Sequence, residues 1–334
     1  MTCESDSANR HRKGDGCMES QAIKLPQAPK KTVGQRIQKH IARNWQYYLL
    51  CLPALLYVFI FCYGPMYGIQ IAFRDYKVKD GISGSEWVGL DWFIRFFQLP
   101  NCWNLIKNTI GISVYQLVAG FPLPIILALL INQCPGVKFK KVVQTVTYAP
   151  HFISVVVLVG MLQLFLSPTS GIINHLLGFL GIDPVFFMGK PEYFKSVYVW
   201  SGIWQSTGWG TIIYIAALSG VNPELYEAAQ IDGASKGQLV RYIDIPSILP
   251  TAVLLFILNM GSFMNVGMQK ALLMQNATNM ASSEIISTYV YKIGLLKSQF
   301  SYSTAIGLFE TVINIILLVT ANQISKRVGQ TSLF

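Results

Sequence analysis

The chain reads as an all-α, polytopic membrane protein with six transmembrane helices. Two observations carry that reading. Of 334 residues, 52% are hydrophobic and only 13% charged, with a mean hydropathy of +0.42, whereas a soluble domain carries about 25% charged residues. The uncharged residues also come in runs long enough to cross about 30 Å of hydrocarbon as helix. A β-barrel would need alternating segments of about ten residues, and these runs are continuous and far longer.

Residues 1–32 are polar, basic and Pro- and Gly-containing, with little to bury, so they read as a disordered basic tail. Over 33–46 the spacing of Ile37 and Ile41, with Arg36, Lys39 and Arg43 beside them, predicts an amphipathic helix on the membrane surface. The apolar region, 47–325, holds six runs: Tyr47 to Phe73, Leu105 to Ile131, Val142 to Leu166, Ser196 to Leu218, Ile248 to Met268 and Ser301 to Ile324. Pro53, Gly64-Pro65 and Phe121-Pro122-Leu123-Pro124 fall inside them. Such residues argue against a soluble core helix but are tolerated where neighbouring helices satisfy the freed backbone groups. A short tail, 326–334, closes the chain. The first run lacks a small-residue cleavage site, so it reads as a retained span and not as a signal peptide.

Basic residues set the orientation. Nine precede the first run: Arg10, Arg12, Lys13, Lys24, Lys30, Lys31, Arg36, Lys39 and Arg43. Lys138, Lys140 and Lys141 crowd the turn after the second, Lys236 and Arg241 the loop after the fourth, and Lys326-Arg327 the end. The positive-inside rule places these regions and both termini in the cytoplasm, against the smaller outer cluster of Arg74, Lys77 and Lys79. Topology accounts for this charge without nucleic acid.

Catalytic and metal chemistry find no footing. The six cysteines, Cys3, Cys17, Cys51, Cys62, Cys102 and Cys134, form no Cys-x-x-Cys pair, and His151 has no carboxylate or cysteine at ligand spacing. Gly233-Ala234-Ser235-Lys236-Gly237 has some letters of a phosphate-binding loop in the wrong order. Any ATP-driven work must draw on a partner.

The segment 222–246 is a polar insert between two apolar runs. Asn222 is a good N-cap and Pro223 a good first helical residue, so a helix is expected from there to about Asp232, turning at Gly233. Ser235 then caps a second short helix reaching Tyr242, after which Pro246 and Pro250 reset the chain. Ala228, Ala229 and Ala234 leave room for another surface to dock closely; an ordinary interfacial hairpin is the plainer reading.

Glu227-Ala228-Ala229, Gly233 and Ile243-x-Ile245-Pro246 resemble the signature loop of bacterial ABC importer permeases, with Ile245 in place of the more usual Leu. Asn44-Trp45-Gln46-Tyr47-Tyr48-Leu49-Leu50, Gly64-Pro65-Met66-Tyr67-Gly68 and Tyr148-Ala149-Pro150-His151-Phe152-Ile153-Ser154 are similar to the LplB- or YteP-like branch, sugar permeases associated with complex oligosaccharides. The resemblance covers everything after the tail. It implies a type I importer permease fold (MalF/MalG-like), and a non-enzymatic subunit working with a second homologous permease. It further implies two cytoplasmic ATPase subunits that use ATP and magnesium, an extracytoplasmic solute-binding protein, an oligosaccharide and membrane lipid. It makes Glu227 the leading ATPase-coupling residue and gives Gly233 the turn, with Asp232, Ala228, Ala229, Ala234, Ile243 and Pro246 in support.

A solute crossing the bundle needs polar lining. Tyr115 and Gln116, Gln163, the group Trp204, Gln205, Thr207 and Trp209, and the group Asn259, Ser262 and Asn265 are the candidates, since amides and hydroxyls suit sugar hydroxyls and rings suit a pyranose face. Helix-to-helix hydrogen bonding is the alternative for each. Glu310, deep in the sixth run, either lines the path, pairs with a basic group of the second permease or stays protonated. On topology alone an ion-coupled transporter or a membrane scaffold also stands, and the cargo could be another polar nutrient.

Overall fold

The computed structural model describes residues 33–327, 329, 332 and 333, the side chains at 33, 35–39 and 41 excepted. The expected basic tail at 1–32, and the side chains of Ile37 and Ile41 on which the amphipathic face depends, lie outside the described residues. The chain divides into two compact units, Met1–Gly64 and Pro65–Phe334.

In the first unit a helix, Val33–Tyr57, continues as a π-helical turn, Val58–Tyr63. It breaks at Asn44, where φ is −118° and ψ 20°, close to the change at 46 expected from surface helix to span. Beyond the break Leu50, Leu55, Phe59 and Phe61 are all exposed. A helix apolar around its whole circumference is the form a lipid environment favours.

Among the described residues four helices are long and apolar enough to cross a membrane: Ala42–Phe73, Cys102–Gln133, Lys236–Met260 and Phe300–Arg327. They stand at the first, second, fifth and sixth expected places. The other two places differ from expectation in instructive ways.

The third span is not one helix. Val137–Phe152 and Val155–Phe165 meet at a bend of 98°, because Pro150 lies in a tight 3-10 turn over Ala149–Phe152 and Ile153 is extended. Ser154 then caps the new helix, its hydroxyl accepting from the Val157 amide at 3.3 Å. The fourth place is filled by Pro191–Ser219, whose 29 residues reach about 43 Å. It is long enough but too polar to meet the same apolarity standard. Two of its hydroxyls bond within the helix: Ser206 donates to the Gly202 carbonyl at 2.8 Å and Thr207 to Ile203 at 2.7 Å. This helix packs against the second span, the first half of the third and the fifth, which buries Ser201 and Thr211 within protein.

The fifth span corrects the expected boundaries at both ends. No reset occurs at Pro246 or Pro250. A π-helical turn, Val240–Asp244, joins Lys236–Leu239 to Ile245–Met260, with Pro246 in the first turn of the latter and Pro250 inside it. The helix stops at Met260, short of Met268, and the Met264 amide donates instead to the Asn314 side chain of the sixth span at 2.9 Å. The sixth helix runs to Arg327, so Lys326 and Arg327 belong to its last turn, where cations complement the helix dipole.

Apolar packing in the second unit gathers in three places. One surrounds Ile112, Val199, Ala271 and Ile285; a second surrounds Phe96, Leu105, Ile286 and Ile306; a third joins Ala128, Tyr214 and Ile248 of the second, fourth and fifth spans. A pair of two-residue antiparallel strands, Arg74–Asp75 and Glu86–Trp87, tightens the loop after the first span.

Candidate functional site

The insert between the fourth and fifth spans folds as its residues dictate. Asn222 is extended, and its side chain accepts from the Glu224 amide at 3.1 Å, opening a helix over Pro223–Ile231 with Pro223 in its first turn. At the far end the Ala234 amide donates to the Ala229 carbonyl at 2.9 Å and the Gly233 amide to Gln230 at 3.0 Å. That is a Schellman closure, and it requires the left-handed conformation Gly233 adopts, with φ at 79°. A capping box follows: Gln238 donates from its backbone to the Ser235 hydroxyl while its side chain accepts from the Ser235 amide at 2.7 Å. Both helix ends facing the turn are therefore closed by the segment itself.

Of the residues expected to couple, Glu227, Ala228, Asp232 and Pro246 are exposed, Ala229, Ala234 and Ile243 are half-buried, and Asp232 closes the helix. Sequence reasoning missed two apolar members of this surface, Leu225 and Ile231, the latter 87% exposed. Their signal was the apolar side chain in an otherwise polar insert.

Beneath the surface lies a second missed feature. Asp244 is fully buried, and its carboxylate accepts from the Tyr226 hydroxyl at 2.6 Å, Gln133 Nε2 at 2.7 Å and Asn132 Nδ2 at 3.2 Å. Lys140 donates to the Asn132 carbonyl at 2.9 Å. Burial, then the Asp244 carboxylate, pushes the Tyr226 hydroxyl up to about 12. An acid at the head of an apolar run, as in Ile243-Asp244-Ile245, was the available clue.

Within the bundle a cavity of about 380 Å³ lies between the second, fourth and fifth spans, and four expected path residues line it: Gln116, Asn259, Ser262 and Asn265. Ser113, Ser206 and Tyr214 join them. Ser113 is notable, because its buried hydroxyl has no hydrogen-bond partner among the described residues. No lining residue carries a formal charge.

The remaining candidates lie elsewhere. Gln163 borders a separate cavity of about 290 Å³ with Gln275 and Asn276. The Tyr115 hydroxyl accepts from Trp200 Nε1 at 2.8 Å, Thr207 bonds within its own helix, and Trp204 is half-exposed. Gln205 donates to the Ile153 carbonyl at 2.6 Å, and Trp209 stacks on His151 with ring centroids 4.5 Å apart. These last two fasten the bend of the third span to the fourth. Glu310 lines neither cavity, and one of its carboxylate oxygens is buried with no partner among the described residues.

Residues 120–330 match the family described as binding-protein-dependent transport system inner membrane component. The chain belongs to this family. It is a membrane-embedded ABC importer permease, a transport subunit that works with a binding protein. It is 42% identical over 305 residues to the polygalacturonan/rhamnogalacturonan transport system permease protein YteP of Bacillus subtilis, covering 91% of this chain and 95% of that protein. It is 41% identical to protein LplB of the same organism, over 92% of this chain and 97% of that one. Among solved structures, a permease chain of a bacterial alginate ABC transporter, crystallised with an alginate pentasaccharide-bound periplasmic protein, superposes with a TM-score of 0.81 at 38% identity. That match covers 89% of this chain and all of the other. The type I permease fold follows.

Proposed function

We propose that this permease carries carbohydrate, and specifically oligosaccharides derived from acidic plant or algal polysaccharides, by alternating access driven by ATP. The observation that carries the cargo reading is the 380 Å³ cavity, whose polar lining is made of neutral amides and hydroxyls. Its size falls in the range of ligand pockets, and such groups match sugar hydroxyls without demanding a fixed charge. The cavity supports carbohydrate in general, and the acidic class rests on the named cargoes of YteP and of the alginate transporter.

The working assembly in this reading pairs the chain with a second, related permease. Two cytoplasmic ATPase subunits, using ATP and magnesium, dock on the two signature loops. Exposed Leu225 and Ile231 beside Glu227 give such a subunit an apolar contact with an acid at its side. Purification from the membrane should bring down the companion permease and both ATPases. A homodimer that drives uptake alone would contradict the paired arrangement.

Both termini and the 222–246 insert are cytoplasmic in this account. In a cysteine-free background, cysteines at 138 and 236 should react only with reagent on the cytoplasmic side, and one at 180 only from outside. Opposite labelling would overturn the orientation and, with it, the docking surface.

The cargo reading is tested by uptake from a panel of sugars and other polar nutrients into vesicles holding the whole complex. Oligouronides should be taken up, and Gln116→Leu should reduce the rate about tenfold or more by removing a hydrogen-bonding group from the cavity, without altering sugar affinity of the separate binding protein. Uptake of a non-carbohydrate solute alone would refute it.

A further inference from the structure

We propose that Asp244 is the clasp that transmits movement of the docking helix to the bundle. The inference rests on the coupling role proposed for the 222–246 insert and assigns that role a route. Tyr226 neighbours Glu227 on the docking helix Pro223–Ile231, yet its hydroxyl points inward to Asp244 at 2.6 Å. Asp244 belongs to the π-helical turn that opens the fifth span. Gln133 and Asn132, its other two donors, end the second span, and Lys140 of the third span holds the Asn132 carbonyl. One fully buried carboxylate thus joins the docking helix to the cytoplasmic ends of the second and fifth spans, and Asn132 extends the link to the third.

The chemistry favours a rigid joint. A carboxylate with no exposed surface is stable only while its oxygens are saturated by donors, and here three neutral side chains supply them. Pulling Tyr226 away would strip a buried charge of its shortest bond, so the docking helix, the fifth span and the second span move together at lower cost than apart. Buried Ala128, Tyr214 and Ile248 pack the second, fourth and fifth spans into one body. That body also walls the cavity. Asp244 is a positioning residue in this scheme, acting through Tyr226 and Gln133 and never touching solute or nucleotide.

The test uses the complete complex in vesicles and reads solute moved per ATP hydrolysed, alongside recovery of the ATPase subunits. Asp244→Asn replaces one acceptor oxygen by an amide donor, which then faces either Gln133 Nε2 or the Tyr226 and Asn132 donors, and Tyr226→Phe deletes only the hydroxyl. In both, the ATPases should stay bound and hydrolysis should still respond to loaded binding protein, while solute moved per ATP falls about tenfold, as expected for the loss of a hydrogen bond to a buried charge. Asp244→Asn combined with Gln133→Glu reverses the polarity of that contact and should regain much of the ratio. An unchanged ratio in both single variants would overturn the clasp. A parallel fall of assembly, hydrolysis and transport, or a double variant no better than Asp244→Asn, would reduce it to a structural contact and overturn it equally. Glu227→Ala is measured beside them: if it alone leaves coupling intact, the docking reading fails at Glu227 while the Asp244 result is still read on its own ratio.

Discussion

Gly233→Leu will leave the complex in the membrane but break the link between ATP hydrolysis and uptake, with transport falling about tenfold or more. Nothing lies within 4 Å of a β-carbon added at Gly233, so the substitution meets no steric obstacle. Its cost is conformational: with φ at 79°, a leucine there is disfavoured by roughly 1–2 kcal/mol. Relief comes by unwinding the Schellman closure, which frees the Ala229 and Gln230 carbonyls and lets the docking helix swing relative to the Ser235 capping box. Glu227→Ala should give the same uncoupling by a different cause, loss of an exposed carboxylate from an unaltered backbone. Solute affinity of the isolated binding protein should be untouched in both. Parallel assays of ATP turnover and uptake check this, and wild-type values for both activities would remove the insert from the coupling path.

Gly208→Leu will abolish folded protein. A β-carbon at Gly208 would meet the backbone carbonyl group of Thr147, not a flexible side chain, so the fourth span must move off the first half of the third. Small residues are what allow helix backbones to approach so closely in a membrane, and overpacking of this kind costs roughly 1–3 kcal/mol or more. The damage would spread along the same joint, because Gln205 holds the Ile153 carbonyl and Trp209 stacks on His151 on either side of Gly208. Yield of monodisperse complex after detergent extraction should collapse for Gly208→Leu. Gly160, where an added β-carbon meets nothing within 4 Å, should accept alanine with near wild-type yield. Normal recovery of Gly208→Leu would show that the two helices are not held at that contact.

Local chemistry was legible where a few adjacent residues decide the outcome. Asn222, Pro223, Gly233 and Ser235 each sit where cap and turn rules put them, since those hydrogen bonds close within a handful of residues. The bend at Pro150 was not read, although the proline was in view. Long apolar runs hide a break that a single 3-10 turn can supply, and Gln205 and Trp209 on another helix stabilise it. Pro246 and Pro250 misled in the opposite sense: a π-helical turn before the first let the helix continue through both. For the path, Gln116 and Asn259 point into the cavity while Gln205 does not, because helical phase is set by packing against neighbours that composition does not reveal. Asp244 escaped for the same reason, its donors lying more than a hundred residues away in the case of Asn132 and Gln133.

The decisive measurement is solute uptake by vesicles that contain this chain, its companion permease and both ATPases, supplied with the loaded binding protein, under ATP or under an imposed ion gradient. The account predicts uptake of an oligouronide only when ATP and the binding protein are both present, with no response to the gradient. Uptake driven by the gradient without ATP, or by this chain with neither partner nor binding protein, would contradict it.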